Sequence, residues 1–125
     1  MFRILIVEDN ESYGRMLSLR LKSLGYDVII AGNGLEGYNL AKKEIPDLVI
    51  LDIMIPEMDG LKVCRLLKFD SKLQHIPVIM LTCRNLAQDV KAALNAHADA
   101  FIIKSTGSEV LIDTIENLLG RAKEV

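Results

Sequence analysis

DLVILDIMIPEMDG, residues 47–60, is a segment in which a fully apolar run leads directly into an acidic residue. The run Leu-Val-Ile-Leu at 48–51 is apolar at every position, which is typical of a central strand buried on both faces of a parallel sheet. Asp52 follows it at once, and Pro56 and Asp59-Gly60 come next. A single aspartate after a strand is often only a turn former or a helix cap. Its meaning therefore depends on what the other strands bring to the same edge of the sheet.

Four more short apolar runs surround this one, at residues 4–7, 28–31, 78–81 and 100–103. Each run is separated from the next by a helical pattern, so the chain alternates five strands with five helices. This alternation predicts an α/β fold with a mainly parallel sheet, and right-handed crossovers make it open and doubly wound. A chain of 125 residues suits the flavodoxin-like strand order 2-1-3-4-5. In that order ligands bind at the carboxyl ends of strands 1 and 3.

Apolar residues at helical spacing predict the inward face of each helix. The first helix is expected over residues 12–24, with Gly25 as its stop signal. The third is expected over residues 60–69, with Asp59 as its N-cap. Residues 106–109 form a capping-box pattern in which Thr106 caps the last helix and Glu109 reaches back. The predicted inward residues are Tyr13, Leu17, Leu21 and Leu24; Leu35, Tyr38 and Ala41; Leu61, Cys64 and Leu67; Leu86, Val90, Ala93 and Leu94; and Val110, Leu111, Ile115 and Leu118.

Length and composition limit the classes of protein to consider. The 125 residues are enough for one domain with a substantial core, so we expect a single domain over residues 1–125. The formal net charge of −2 gives no reason to expect direct nucleic acid binding. Cys64 and Cys83 lie in or beside apolar segments and are expected to be buried, reduced thiols. No apolar run is long enough for a signal peptide core or a membrane span, so we expect a cytoplasmic protein.

Four of the predicted strands are followed by polar, chemically capable residues. The first strand is followed by Glu8 and Asp9, the third by Asp52, the fourth by Thr82 and the fifth by Lys104. Each residue alone has an ordinary explanation as a turn former, a cap or a solvated side chain. Their joint occurrence at the predicted ligand crevice favours one functional site.

These residue types indicate phosphoryl transfer to a carboxylate. Three carboxylates packed together favour either a raised pKa or a bound cation. Oxygen ligands suit a hard ion such as Mg²⁺, which proteins hold with one or two carboxylates plus phosphate oxygens. A carboxylate can act as a nucleophile and form an aspartyl-phosphate. In this interpretation Asp52 is the acceptor, and Glu8 and Asp9 surround Mg²⁺. Lys104 supplies counter-charge and Thr82 donates a hydroxyl hydrogen bond.

The same residues resemble the receiver domain of two-component response regulators, including chemotaxis receivers. The matching motifs are the acid pair at 8 and 9, DIMIPEMDG at 52–60, Thr82 after VIML and Lys104 after AFII. The resemblance implies that Asp52 takes a phosphoryl group from a histidine kinase, a phosphotransfer protein or a small phosphodonor. It also implies that the protein is not an enzyme acting on other substrates, and that it catalyses only its own phosphorylation and dephosphorylation.

The resemblance further implies a ligand set for the metal. Asp9, Asp52 and the main-chain carbonyl of Met54 bind Mg²⁺ directly, and Glu8 acts through water.

A switch is implied as well. Thr82 and Phe101 match the family's switch pair, in which the hydroxyl moves toward the phosphate and the ring turns inward. The responsive face is then the fourth helix, fifth strand and fifth helix. Through it the signal passes to an effector domain, a partner protein or a second copy of the chain.

The sequence departs from the family pattern after the lysine. Ser105 follows Lys104 where the family usually has proline with a cis bond before it. A cis bond to a non-proline residue costs about 2.5–4 kcal/mol. Either the bond is trans and the loop differs, or tertiary contacts hold the strained form.

Three other functions are compatible with parts of this pattern. A flavin-binding electron carrier needs a phosphate cradle after the first strand, where Glu8 and Asp9 would repel phosphate. A phosphatase with a catalytic aspartate would have its nucleophile after the first strand and a cap segment for substrate. The remaining alternative is a degenerate receiver that acts as a phosphorylation-independent binding module, and Ser105 is its only support.

Overall fold

The computed structural model describes residues 1–83 and 87–120, and over these it has five β-strands alternating with five α-helices. The predicted inward position Leu86 lies outside the described residues. A 3₁₀ turn at Lys104–Thr106 connects the last strand to the last helix. The elements are β1 (Arg3–Val7), α1 (Glu11–Ser23), β2 (Asp27–Ala31), α2 (Gly34–Glu44), β3 (Leu48–Leu51), α3 (Gly60–Phe69), β4 (Val78–Thr82), α4 (Ala87–Asn95), β5 (Ala100–Ile103) and α5 (Ser108–Leu119).

The strands form one parallel sheet in the order β2-β1-β3-β4-β5. Val7, the last residue of β1, pairs with Leu51, the last residue of β3. The residues that follow them therefore leave the sheet side by side, at the point where the winding direction reverses. The predicted α/β class and strand order are confirmed.

Each face of the sheet carries its own hydrophobic core, because alternate residues of a strand point to opposite sides. Leu5 and Val7 of β1 join the core beneath α2, α3 and α4, whereas Ile4 and Ile6 join the core beneath α1 and α5. All four residues of β3 are buried, as predicted for a central strand. Within the described residues no helix combines the length and apolarity that crossing a bilayer requires.

The predicted cap of α3 is confirmed and the predicted cap of α5 is wrong. Asp59 Oδ1 accepts a hydrogen bond from the Lys62 amide at 2.9 Å, and α3 has the predicted bounds. The last helix begins at Ser108, after Gly107, without a side-chain cap. The Thr106 hydroxyl instead donates to the Ile103 carbonyl at 2.7 Å. The Thr106 hydroxyl is therefore bonded within the 3₁₀ turn at Lys104–Thr106 and does not cap α5.

Four apolar residues predicted to face the core are exposed: Leu24, Leu35, Leu94 and Val110. Leu24 is the C-cap of α1 and lies beyond its last turn. In α4 and α5 adjacent residues join the cores instead, among them Ala93 and Leu111, which are buried. The apolar stripe of each helix is wider than the surface it contacts, so spacing alone does not identify the buried edge.

The two cysteines differ in environment. Cys64 is fully buried, as predicted, and its thiol lies 3.4 Å from the Ala96 carbonyl. Cys83 is exposed, so its predicted burial is wrong. It follows Thr82, the last residue of β4, and therefore lies outside the buried strand.

Candidate functional site

Three carboxylates and one ammonium group meet at the carboxyl ends of β1, β3 and β5. Glu8 and Asp9 follow β1, Asp52 follows β3 and Lys104 follows β5. One carboxylate oxygen from each of the three acids lies within 4.8 Å of the other two. Glu8 and Asp52 are only 5% and 7% exposed, whereas Asp9 is open to solvent. The structure thus brings these four predicted site residues together.

Lys104 is paired with two of the carboxylates. Its Nζ lies 2.5 Å from Glu8 Oε1 and 3.0 Å from Asp52 Oδ2. The Lys104–Ser105 bond is trans, since the described residues contain no cis peptide bond. Of the two alternatives for the missing proline, the structure therefore has the trans bond, followed by the 3₁₀ turn.

Main-chain groups orient both buried carboxylates. Asp52 Oδ1 accepts from the Met54 amide at 3.2 Å, on the side opposite the lysine contact. Glu8 Oε2 accepts from the Asn10 amide at 3.1 Å. In each carboxylate, one oxygen accepts a hydrogen bond from Lys104 and the other accepts one from a main-chain amide. These two contacts fix the plane of the group.

Two glycines bring backbone against the segment between β3 and α3, which we name the acceptor loop (residues 52–60). The Gly60 amide donates to the Ile53 carbonyl at 2.9 Å, and the Gly34 amide of α2 donates to the Pro56 carbonyl at 3.0 Å. A β-carbon on Gly60 would overlap the Asp52 main-chain oxygen, and one on Gly34 would overlap that of Met58. Main-chain contacts on two sides therefore fix the path of this loop.

The cluster carries more negative than positive charge. Burial raises the pKa of Glu8 above its ordinary value, and the hydrogen bond from Lys104 offsets this only in part. Burial also works to lower the pKa of Lys104, but its hydrogen bonds to Glu8 and Asp52 outweigh burial and the pKa is raised. The lysine is therefore charged at neutral pH, and one ammonium faces three carboxylates. This imbalance favours a bound cation.

Tyr13 contributes to the site in a way that the sequence analysis missed. Lys104 Nζ lies 4.3 Å from the centroid of the Tyr13 ring. The ring is half-buried and packs against the core beneath α1 and α5, and this burial raises the pKa of Tyr13. The available signal was its position, since Tyr13 is predicted on the inward face of the first turn of α1, directly after the acid pair at 8 and 9.

Thr82 and Phe101 lie on one face of the sheet. Thr82 is fully buried and pairs with Ile103, the residue before Lys104. Phe101 is half-buried and pairs with Met80, which belongs to the core beneath α4. Because residues two apart in a strand share a face, Thr82 lies on the same side as Met80 and Phe101. The predicted switch pair therefore occupies neighbouring strands on the side that α4 covers.

The donor set fits a hard divalent cation. All three side chains offer oxygen, the ligand that Mg²⁺ prefers, and one oxygen from each lies within 4.8 Å of the other two. A cleft of about 590 Å³ opens beside them, and its lining includes Asp9, Met54, Asp59 and Asp89. Asp89, buried in the first turn of α4, was not among the predicted residues. The acidic lining would oppose an anionic ligand unless a cation accompanied it.

Comparison with known sequences identifies the family to which this chain is similar. The family model for the response regulator receiver domain matches residues 4–116. The polar-differentiation response regulator DivK of Brucella anthropi is 38% identical over 119 residues, which cover 95% of this chain and 97% of DivK. The DNA-binding dual master transcriptional regulator RpaA of Synechocystis sp. is 36% identical over 123 residues, which cover 98% of this chain and 51% of RpaA. The chain thus spans nearly all of one relative and about half of the other.

Solved structures share the fold closely. The signal receiver domain of a signal transduction histidine kinase from Syntrophus aciditrophicus superposes with a TM-score of 0.90 at 38% identity, covering 100% of this chain and 95% of that one. The chemotaxis protein CheY4 of Vibrio cholerae gives a TM-score of 0.87 at 27% identity, covering 94% of this chain and 98% of that one.

Proposed function

The chain belongs to the response regulator receiver domain family, and from that premise we propose that it is a phosphoacceptor of two-component signalling, with Asp52 as the acceptor. One observation carries the proposal. Asp52 is a buried carboxylate at the end of the central strand, with an ammonium 3.0 Å away and two further carboxylates within reach of one cation. Such a cluster combines a nucleophile, a counter-charge and a metal site, which are the parts that phosphoryl transfer requires.

In the proposed reaction an Asp52 carboxylate oxygen attacks the phosphorus of a phosphohistidine on a histidine kinase or phosphotransfer protein. The new P–O bond forms as the P–N bond breaks, and the departing imidazole keeps the electron pair. With acetyl phosphate the broken bond is P–O and acetate leaves. Lys104 Nζ stabilises charge on the phosphoryl oxygens through charge-assisted hydrogen bonds, and the Thr82 hydroxyl donates another. The protein would catalyse only its own phosphorylation and dephosphorylation.

Mg²⁺ would be held by Asp9, Asp52 and the main-chain carbonyl of Met54, with Glu8 acting through water. When bound it supplies positive charge to the phosphoryl oxygens of donor and acceptor. Asp9 suits a direct role because its carboxylate is exposed.

We also propose that phosphorylation is transmitted through α4, β5 and α5. Thr82 and Phe101 share the face of the sheet beneath α4, so movement of the threonine toward the phosphate would open space for the ring. The output would be an effector domain, a partner protein or a second copy of the chain. The net charge of −2 favours protein partners over direct contact with nucleic acid. The two free cysteines fit a reducing compartment such as the cytoplasm.

Incubation with acetyl phosphate and Mg²⁺ tests the proposal by intact-protein mass spectrometry. The parent chain should gain one phosphoryl group, and Asp52→Asn should gain none. Asp59→Asn is the matched control, because it removes a carboxylate from the same cleft while asparagine still caps α3. Undiminished labelling of Asp52→Asn would refute the assignment. A parent chain that takes up no phosphoryl group from any donor would favour the degenerate binding module instead.

A further inference from the structure

Lys104 makes three contacts at the site, and they differ in kind. Two are ion pairs, to Glu8 and to Asp52, and the third is the face of the Tyr13 ring, 4.3 Å from Nζ to the centroid. The lysine directly follows β5, an edge strand of the sheet, and is the first residue of the 3₁₀ turn. A lysine side chain is a flexible four-carbon stem that loses much rotamer freedom when its ammonium is held in place.

The two ion-pair partners both have a second role in the proposed function. Asp52 accepts the phosphoryl group, which changes the charge and shape of the group that Lys104 contacts. Glu8 contributes to the metal site, where a cation competes with the ammonium for the same carboxylate. Tyr13 has neither role, so its ring is the contact whose chemistry the proposed reaction does not change.

We propose that Tyr13 is a positioning residue, whose ring face holds the Lys104 ammonium at the phosphoacceptor; this inference rests on the proposed function. The ring is itself held in place. Asn10 Oδ1 accepts from the Tyr13 amide at 2.9 Å and so fixes the first turn of α1, and the ring packs against the core beneath α1 and α5. An aromatic face attracts a cation more strongly when the pair is shielded from water, and the Lys104 side chain is only 16% exposed.

The test compares two substitutions at one position in the full chain. Tyr13→Leu removes the aromatic face, and Tyr13→Phe keeps it. With Mg²⁺ present, Tyr13→Leu should lower the affinity for beryllofluoride and the rate of phosphorylation by acetyl phosphate by about 2- to 30-fold, the range for one cation–π contact. Tyr13→Phe should stay close to the parent. Tyr38→Leu is the matched control, since Lys42 Nζ lies 4.4 Å from the Tyr38 ring on α2, away from the site.

A second arm asks whether Tyr13 acts through the lysine. In a Lys104→Ala background, Tyr13→Leu should cause no further loss of beryllofluoride affinity. In NMR spectra the ε-protons of Lys104 should be shifted upfield by the ring in the parent and in Tyr13→Phe, and not in Tyr13→Leu. This spectral comparison needs no ligand and no folded Lys104→Ala variant.

Three results would overturn the inference. They are full beryllofluoride affinity in Tyr13→Leu, an equal loss in Tyr13→Phe, and Lys104 proton shifts that Tyr13→Leu leaves unchanged. A parent chain that binds no beryllofluoride and accepts no phosphoryl group would instead overturn the proposed function. The contact between Lys104 and the Tyr13 ring would still be decided by the NMR comparison.

Discussion

Lys104 Nζ lies 3.0 Å from Asp52 Oδ2 although serine follows the lysine and the bond between them is trans. The sheet accounts for this contact. Ile103, next to the lysine, pairs with Thr82 at the end of β4, and β4 pairs in turn with β3, which ends one residue before Asp52. Strand register therefore places the Lys104 ammonium near the Asp52 carboxylate, whatever the conformation of the chain after Lys104.

Removal of the lysine charge should destabilise the fold. Lys104→Met would leave Glu8 and Asp52 buried without their shared counter-charge, and the expected loss in unfolding free energy is about 3 kcal/mol at neutral pH. Urea unfolding in the presence of a chelator measures it. Lys72→Met is the control, because Lys72 is exposed. Equal stability of Lys104→Met and the parent would mean that the carboxylates do not need this lysine.

Mg²⁺ binding should depend on Asp9 more than on other acids of the same cleft. Asp9→Asn should weaken binding at least tenfold, because a hard ion in an open site has few other ligands. Isothermal titration calorimetry gives the affinity. Asp59→Asn removes a charge from the same cleft and should bind Mg²⁺ nearly as tightly as the parent. The proposed ligand set would be wrong if the two variants lost affinity equally.

Lys68 should be a second stabilising lysine, far from the site. Its Nζ lies 2.8 Å from Asp99 Oδ2 and donates to the Ile76 carbonyl at 2.9 Å, while Asp99 also accepts from the Val78 amide. These contacts join α3 to the starts of β4 and β5. Lys68→Met should lower the free energy of unfolding by about 2 kcal/mol. The exposed Lys62 of the same helix is the matched control, and a similar loss in Lys62→Met would contradict the assignment.

Stability should fall in alkaline solution because of Cys64. Burial raises the pKa of this thiol from 9.0 to about 11. Below the lower value the thiol is protonated in both states. As the pH rises from about 9 to about 11 the unfolded chain loses the proton first, which favours unfolding by at most roughly 2 to 3 kcal/mol. Unfolding free energies of the parent and Cys64→Ala should therefore converge over this range. Parallel curves would show that the thiol does not ionise on unfolding.

The sequence was sufficient for the parts of the structure that local pattern determines. The continuous apolar run at 48–51 predicts a strand buried on both faces, and Asp59 before Gly60 predicts the start of α3. The residues at the sheet edge followed from topology, because parallel strands bring their carboxyl ends together. Glu8, Asp52 and Lys104 could thus be grouped without any knowledge of their distances.

Features that depend on tertiary packing could not be predicted in the same way. Leu94 and Ala93 are neighbours in one apolar stripe, and only the fit of α4 against the sheet decides that the alanine is buried. Thr106 matches a capping pattern, yet its hydroxyl donates to the Ile103 carbonyl in the turn that follows β5. Tyr13 fits the inward face of α1 equally well whether or not a lysine lies over its ring.

In the acceptor loop, main-chain contacts fix the backbone, and the exposed side chains take no part in these contacts. Gly34 and Gly60 bring main chain against main chain, so the shape of the loop does not depend on the side chains that point away from the protein. Met54 and Glu57 are among these exposed side chains. Met54 could be exchanged without altering the geometry around Asp52, whereas the left-handed backbone of Glu57, with φ of 70°, restricts that position to residues that tolerate positive φ. Under the proposed function, recognition by a kinase and competence for phosphorylation would then depend on different atoms of the same loop.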